Sequence, residues 1–217
     1  MKRQRLNWQE KVRKNVRKIM DFEHVKAVFE EYLNGYDREN DKVKLKIVHT
    51  YGVMKYAGEI ARKMECSGED MELAKLIALL HDIGRFEQLK RFNSFEADTM
   101  DHATYGVKVL FEEGMIRQFI EEDTWDDVIR TAIAKHSDYE LTGITDERTL
   151  LHARLIRDAD KLDNCRVKLE DAMETLLDLS ADEVGKYAIS PKVREDAFAG
   201  KCICSKDRRT PMDYWVS

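Results

Sequence analysis

The chain has 217 residues, 43% of them hydrophobic and 36% charged, with a net charge of -5. That is enough apolar material for one good core, so a single domain over 1–217 is expected. The near balance of 37 basic and 42 acidic residues excludes a global basic field that would gather nucleic acid, and also the lopsided charge of a disordered chain.

Residues 1–34 read as a basic N-terminal helical region. Trp8, Val12, Val16 and Ile19 recur at steps of three and four and form an apolar stripe. Lys2, Arg3, Arg5, Lys11, Arg13, Lys14, Arg17 and Lys18 occupy the remaining faces. A docked structural helix is expected there ahead of a patch for nucleic acid or acidic lipid. Met1-Lys2-Arg3-Gln4-Arg5 is not followed by the apolar stretch of a signal peptide. No run in the chain approaches the roughly 20 apolar residues that cross a bilayer. A cytoplasmic protein without a membrane partner is the expectation.

Asn34-Gly35 marks a turn and Asn40-Asp41 a helix start, after which Leu45, His49, Val53, Tyr56 and Ile60 share a face. The run from Leu73 to Leu80 is apolar on most sides, as in a central helix. Gly84 is expected to close that helix at its C-cap, which puts His81 and Asp82 at a buried helix end. Residues 85–100, with Asn93 and Ser94, lack a clear period and read as a loop.

A helix from about Asp101 carries His102, Tyr105, Gly106, Val109 and Leu110 on one face, and Gly114 ends it. Another from about Thr124 aligns Val128, Ala132 and His136, and one from about Thr149 aligns His152, Ile156 and Asp160. Residues 166–180 look helical, and 166–217 form a C-terminal helical extension. Both prolines, Pro191 and Pro211, lie in that extension. The period of the pattern predicts an all-α, single-domain helical bundle. Cys66, Cys165, Cys202 and Cys204 contain no CxxC pair, so reduced thiols are expected.

Imidazoles and carboxylates are costly to bury unpaired, yet His49, His81, Asp82, His102, His136 and Asp160 all fall on inward stripes. One divalent cation, neutralising the carboxylates and filling the imidazole lone pairs, is the simplest common partner.

At these residues the sequence resembles the HD-domain superfamily. The resemblance rests on His49 in VHTYGVMKYAGEIA, His81-Asp82 in LIALLHDIGRFEQ, and Asp160 in LIRDADKLDNC. It implies an HD metal-binding core over 44–165, with His49, His81, Asp82 and Asp160 as the protein ligands of one metal and open positions for water and substrate. A binuclear subset of the superfamily has two further histidines between doublet and last aspartate; His102 and His136 look like these, with Asp82 bridging. The competing reading of those two is as buried or pocket-lining histidines.

The implied activity is hydrolysis of a phosphate ester, since a metal lowers the pKa of bound water to about 7 and neutralises phosphoryl charge. Asp82, Arg85 and Lys161 are the candidate catalytic residues, the two cations following the ligand motifs where a phosphate would sit. The expected metal is Mn, Fe, Co, Ni or Zn, as one or two ions, and the expected substrate a nucleotide or another small phosphate ester. Alternatives are a cyclic or oligonucleotide phosphodiesterase, a metal- and nucleotide-binding regulatory module without turnover, and a di-iron oxygenase. The GYP signature of cyclic dinucleotide enzymes is absent after His136, where the chain reads Ser137-Asp138-Tyr139-Glu140.

Overall fold

A computed structural model describes residues 20–96, 98–170 and 173–217. The stripe of Trp8, Val12, Val16 and Ile19 and the cations through Lys18 lie outside the described residues. Those described form helices joined by turns and loops, with no strand among them: an all-α fold.

The first helix, α1, spans Phe22–Leu33 and is capped by the Asp21 carboxylate, which accepts from the His24 amide. After the Asn34-Gly35 turn, α2 spans Asp41–Lys63, and the Asn40 side chain accepts from the amides of Lys42 and Val43. Helix α3 spans Gly68–Leu80 with Ser67 as its cap. Leu73, Leu76, Ile77, Leu79 and Leu80 on α3 are at most 1% exposed. Each such side chain contributes roughly 1.5–3 kcal/mol of burial, so α3 is the central rod against which α2 packs.

The chain then departs from the expected layout. Gly84 does not cap α3, and residues 85–100 are not all loop. His81 closes α3, Asp82 forms the turn, and a new helix α4 runs Ile83–Phe92 before Asn93 ends it at φ 47°. Ile83, Phe86 and Leu89 bury against the core, which supplies the stability that the weak sequence period concealed. Gly84 serves a different purpose: a Cβ there would lie 2.2 Å from the His102 carbonyl oxygen and 2.7 Å from the Gly106 amide nitrogen. Its missing side chain lets α4 touch α5, which spans His102–Val107 under an Asp101 cap.

A π-helical turn at Lys108–Glu112 continues α5, and Gly114 at φ 77° ends it as expected. Helix α6 spans Ile116–Phe119 and α7 spans Asp126–Ala134, starting two residues later than expected. His136 therefore sits in the turn beyond α7 and not on the helix. Helix α8, Glu147–Glu170, packs along α2 and α7. Short helices follow at Met173–Leu177, Ala181–Val184, Pro191–Phe198 and Pro211–Val216.

Candidate metal centre

Five pieces of backbone bring the candidate residues together. His49 lies mid-way along α2, facing α8, where Asp160 and Asp163 sit one turn apart. His81 and Asp82 enter from the α3–α4 turn, His102 from the first residue of α5, and His136 from just past α7. His49, His81, Asp82, His102 and His136 are all buried, at 8% exposure or less. The Asp160 side chain is 20% exposed, so the cluster opens to solvent at that carboxylate.

The distances divide the cluster into two sides of Asp82. On one side His49 Nε2 is 3.0 Å from Asp160 Oδ1 and 3.8 Å from Asp82 Oδ2. His81 Nε2 is 3.4 Å from Asp82 Oδ2 and 3.7 Å from Asp160 Oδ1. On the other side His102 Nε2 is 3.2 Å and His136 Nε2 3.6 Å from Asp82 Oδ1. Donor atoms of His49, His81 and Asp160 lie within 4.8 Å of one another, as do those of His81, Asp82 and His136.

The outward nitrogens settle the tautomers. His81 Nδ1 is 2.7 Å from the Ala78 carbonyl and His136 Nδ1 2.7 Å from the Ile133 carbonyl, both acceptors only, so each Nδ1 donates and each Nε2 keeps its lone pair. His49 Nδ1 donates likewise to Asp163 Oδ2 at 2.8 Å. This is how metal-ligating histidines are oriented from behind. The inward atoms His49 Nε2, His81 Nε2 and Asp82 Oδ1 are buried without a hydrogen-bond partner.

Charge within the cluster follows from its neighbours. Burial works against ionising Asp82, but Lys46, whose Nζ lies 2.6 Å from Oδ2, and His81 outweigh it and hold the carboxyl well below its usual range. Asp160 is held low in the same way, burial being overcome by His49 and His81. Burial opposes protonation of His81, yet Asp82 and Asp160 bring it up to about 9, so its Nε2 lone pair is free for a cation only once the proton there is displaced. Burial pulls His102 down to about 4. Two carboxylates held ionised in a buried site call for positive charge.

The HD domain family model matches residues 47–165, more than half the chain and all the cluster residues except Lys46. The chain belongs to the HD domain family. Ribonuclease Y of Acetivibrio thermocellus is 28% identical to it over 165 residues, which is 72% of this chain and 27% of that protein. The chain thus spans about a quarter of that relative's length. No solved structure matches it.

HD domains are metal-dependent phosphohydrolases, and the residues of this one fit a divalent cation. Its deepest side chains offer three orphaned acceptor atoms of nitrogen and oxygen type, and among the described residues no hydrogen-bond donor meets His49 Nε2 or His81 Nε2. Arg85 lies against the cluster, with Nη2 3.0 Å from His102 Nε2 and Nε 3.9 Å from Asp82 Oδ1. Lys161 is exposed, and its Nζ lies 3.5 Å from Cys202 Sγ, turned towards the C-terminal segment.

His152 stands apart, with Nε2 3.1 Å from Asp70 Oδ1, and His24 Nε2 lies 2.8 Å from the Gln118 carbonyl. Three residues of the site escaped the sequence reading: Lys46, Asp163 and Gln88. The signal for the first two was spacing, since Lys46 and Asp163 each lie three residues from a candidate ligand and so share its helix face. Gln88 carried no such signal, because it lay in the segment expected to be loop.

Proposed function

We propose that this HD domain hydrolyses a nucleotide or another small phosphate ester with a divalent transition metal held by His49, His81, Asp82 and Asp160. The observation that carries the reading is the pair of buried atoms without a hydrogen-bond partner, His49 Nε2 and His81 Nε2, set against Asp160 Oδ1 and Asp82 Oδ2. Imidazole with carboxylate suits Mn, Fe, Co, Ni or Zn. When bound, such an ion brings the pKa of water to about 7 and neutralises charge on a phosphoryl oxygen.

The chain's own groups do the rest. Asp163 fixes the His49 ring, and Lys46 holds the Asp82 carboxylate through Oδ2, the oxygen on the His49 and His81 side. Arg85, beside Asp82, offers a fixed guanidinium to phosphoryl oxygens. His102, with its pKa near 4, is neutral at pH 7 and adds no charge beside Asp82. Lys161, next to Asp160 on α8 at the exposed edge, adds positive charge where an anion would enter.

The test is to strip the protein with chelator, reload each metal separately, and measure turnover against mononucleotides, aryl phosphates and a short oligoribonucleotide. Phosphate release from monoesters that disappears in Asp82→Ala supports the proposal; activity that survives Asp82→Ala sinks it. The likeness to a protein named Ribonuclease Y favours a second reading, cleavage of an RNA phosphodiester. Oligoribonucleotide cleavage without phosphate release from any monoester would select that reading.

A further inference from the structure

On the far side of Asp82 three acceptors converge. His102 Nε2 lies 3.1 Å from His136 Nε2 and 3.2 Å from Asp82 Oδ1, and His136 Nε2 lies 3.6 Å from the same oxygen. Acceptors this close repel unless positive charge stands among them. The chain supplies such a charge. Arg85 Nη2 is 3.0 Å from His102 Nε2, and a guanidinium only donates and stays protonated, so it occupies that imidazole lone pair.

The guanidinium is clamped. Arg85 Nη1 donates to Gln88 Oε1 and, at 3.3 Å, to the Phe95 carbonyl. Gln88 is wholly buried, and its Nε2 donates to the Glu96 carbonyl and to Thr99 Oγ1, each at 2.7 Å. The Arg85 side chain is itself only 13% exposed. With His102 taken, a second ion has His81, Asp82 and His136 within reach. His81 Nε2 carries a single lone pair and already belongs to the first set, which leaves a second ion two protein ligands.

We propose that Arg85, oriented by Gln88, is the built-in second cation of this centre, so that the protein binds one metal ion and not two. The inference rests on the reading of His49, His81, Asp82 and Asp160 as metal ligands. It assigns Gln88 as a positioning residue. On this proposal His102 and His136 hold no ion of their own, although the donor atoms of His81, Asp82 and His136 are close enough to do so; with Arg85 they form a fixed polar wall.

The experiment counts ions. Chelator-stripped full-length protein is titrated with Mn(II), and bound manganese is measured by elemental analysis and electron paramagnetic resonance. The wild type is expected to saturate at one ion with the spectrum of isolated Mn(II). Arg85→Met and Arg85→Gln are expected to take two, with the broadened spectrum of a coupled pair, and to return to one when His136→Ala is added. Gln88→Met, which releases the guanidinium, is expected to admit the second ion at higher manganese. Two ions in the wild type overturn the proposal. So does a single ion in both Arg85 variants when their circular dichroism matches wild type, and a single ion in Gln88→Met removes the part assigned to Gln88. No bound manganese in the wild type overturns the four-ligand reading itself.

Discussion

Asp163 Oδ2 accepts the Nδ1 proton of His49 at 2.8 Å, while Arg166 holds the same carboxylate through Nε at 2.8 Å and Nη2 at 3.0 Å. A fully buried carboxylate gripped in this way fixes both the tautomer and the plane of the His49 ring. Asp163→Asn keeps the size but brings an amide that donates as well as accepts, so the ring loses its enforced tautomer. Metal affinity should fall by about 10–100-fold, read by calorimetric titration with Mn(II), with the fold intact by circular dichroism.

Gly52 tests the same relationship from the opposite side. A Cβ at this position would stand 1.9 Å from Asp163 Oδ1, a separation no packing tolerates, so Gly52→Ala must push the carboxylate off His49. The same loss of metal affinity is expected as for Asp163→Asn. Because both act on one contact, the double variant should be little worse than either single one. Fully additive losses would show that Gly52 acts through something else.

The outline of the centre was readable because burying His49, His81, Asp82 and Asp160 conflicts with their polarity, and the helical period exposed that conflict. What the period missed is physical too. Helix α4 has its buried residues Ile83, Phe86 and Leu89 at steps of three, with Arg85, Glu87 and Gln88 between them, so its stripe drifts around the axis and reads as irregular. Gly84 resembles a helix stop because glycine is common there, whereas its role is close backbone approach. His136 fell in register with α7 but lies after its end, held by its own Nδ1 contact to the Ile133 carbonyl. Lys46 and Gln88 matter through partners distant in sequence, Asp82 and the Glu96–Thr99 turn, and no local pattern records such pairings.

The Gly84 contact carries its own prediction. The atoms a Cβ would meet are backbone of His102 and Gly106, which do not yield as a flexible side chain does. Gly84→Ala should therefore destabilise by about 1–3 kcal/mol through overpacking, lowering Tm by about 2–4 °C for each kcal/mol in a chain of this size. Gly106→Ala is the control: its Cβ would lie 3.3 Å from Ile83 Cγ2 and 3.4 Å from the Gly84 nitrogen, so a smaller loss is expected. Equal Tm values for the two variants would contradict the close-approach account.

Metal removal should cost stability as well as activity. Buried Asp82 and half-buried Asp160 are both ionised in one cluster, with the Lys46 ammonium in contact with Asp82. An ion that binds the folded state alone stabilises it, by about 2.7 kcal/mol when present at 100 times its dissociation constant. Chelation should lower Tm in the wild type. In Asp160→Ala, chelation should have little effect, since the cluster has already lost a ligand; an equal drop in both would place the stabilising ion elsewhere.

Away from the centre, His152 predicts a pH dependence. Its Nε2 donates to Asp70 Oδ1 at 3.1 Å, while its Nδ1 is buried with no hydrogen-bond partner. Burial holds the ring below its ordinary value of 6.5 against the pull of the Asp70 carboxylate. A second proton would put an unpaired N–H in the interior. The unfolded chain therefore binds more protons than the folded one as pH falls below 6.5, and stability contributed by the neutral ring is present above that pH and lost on acidification. Asp70 is itself held below 3.8, so its own titration lies in a lower window. His152→Gln keeps a donor for Asp70 but does not titrate. Urea midpoints of chelated protein should fall between pH 7 and 5 more steeply for the wild type than for His152→Gln, the difference cancelling the contributions of His81 and His102. Parallel curves would mean that His152 takes up its proton in the folded protein without cost.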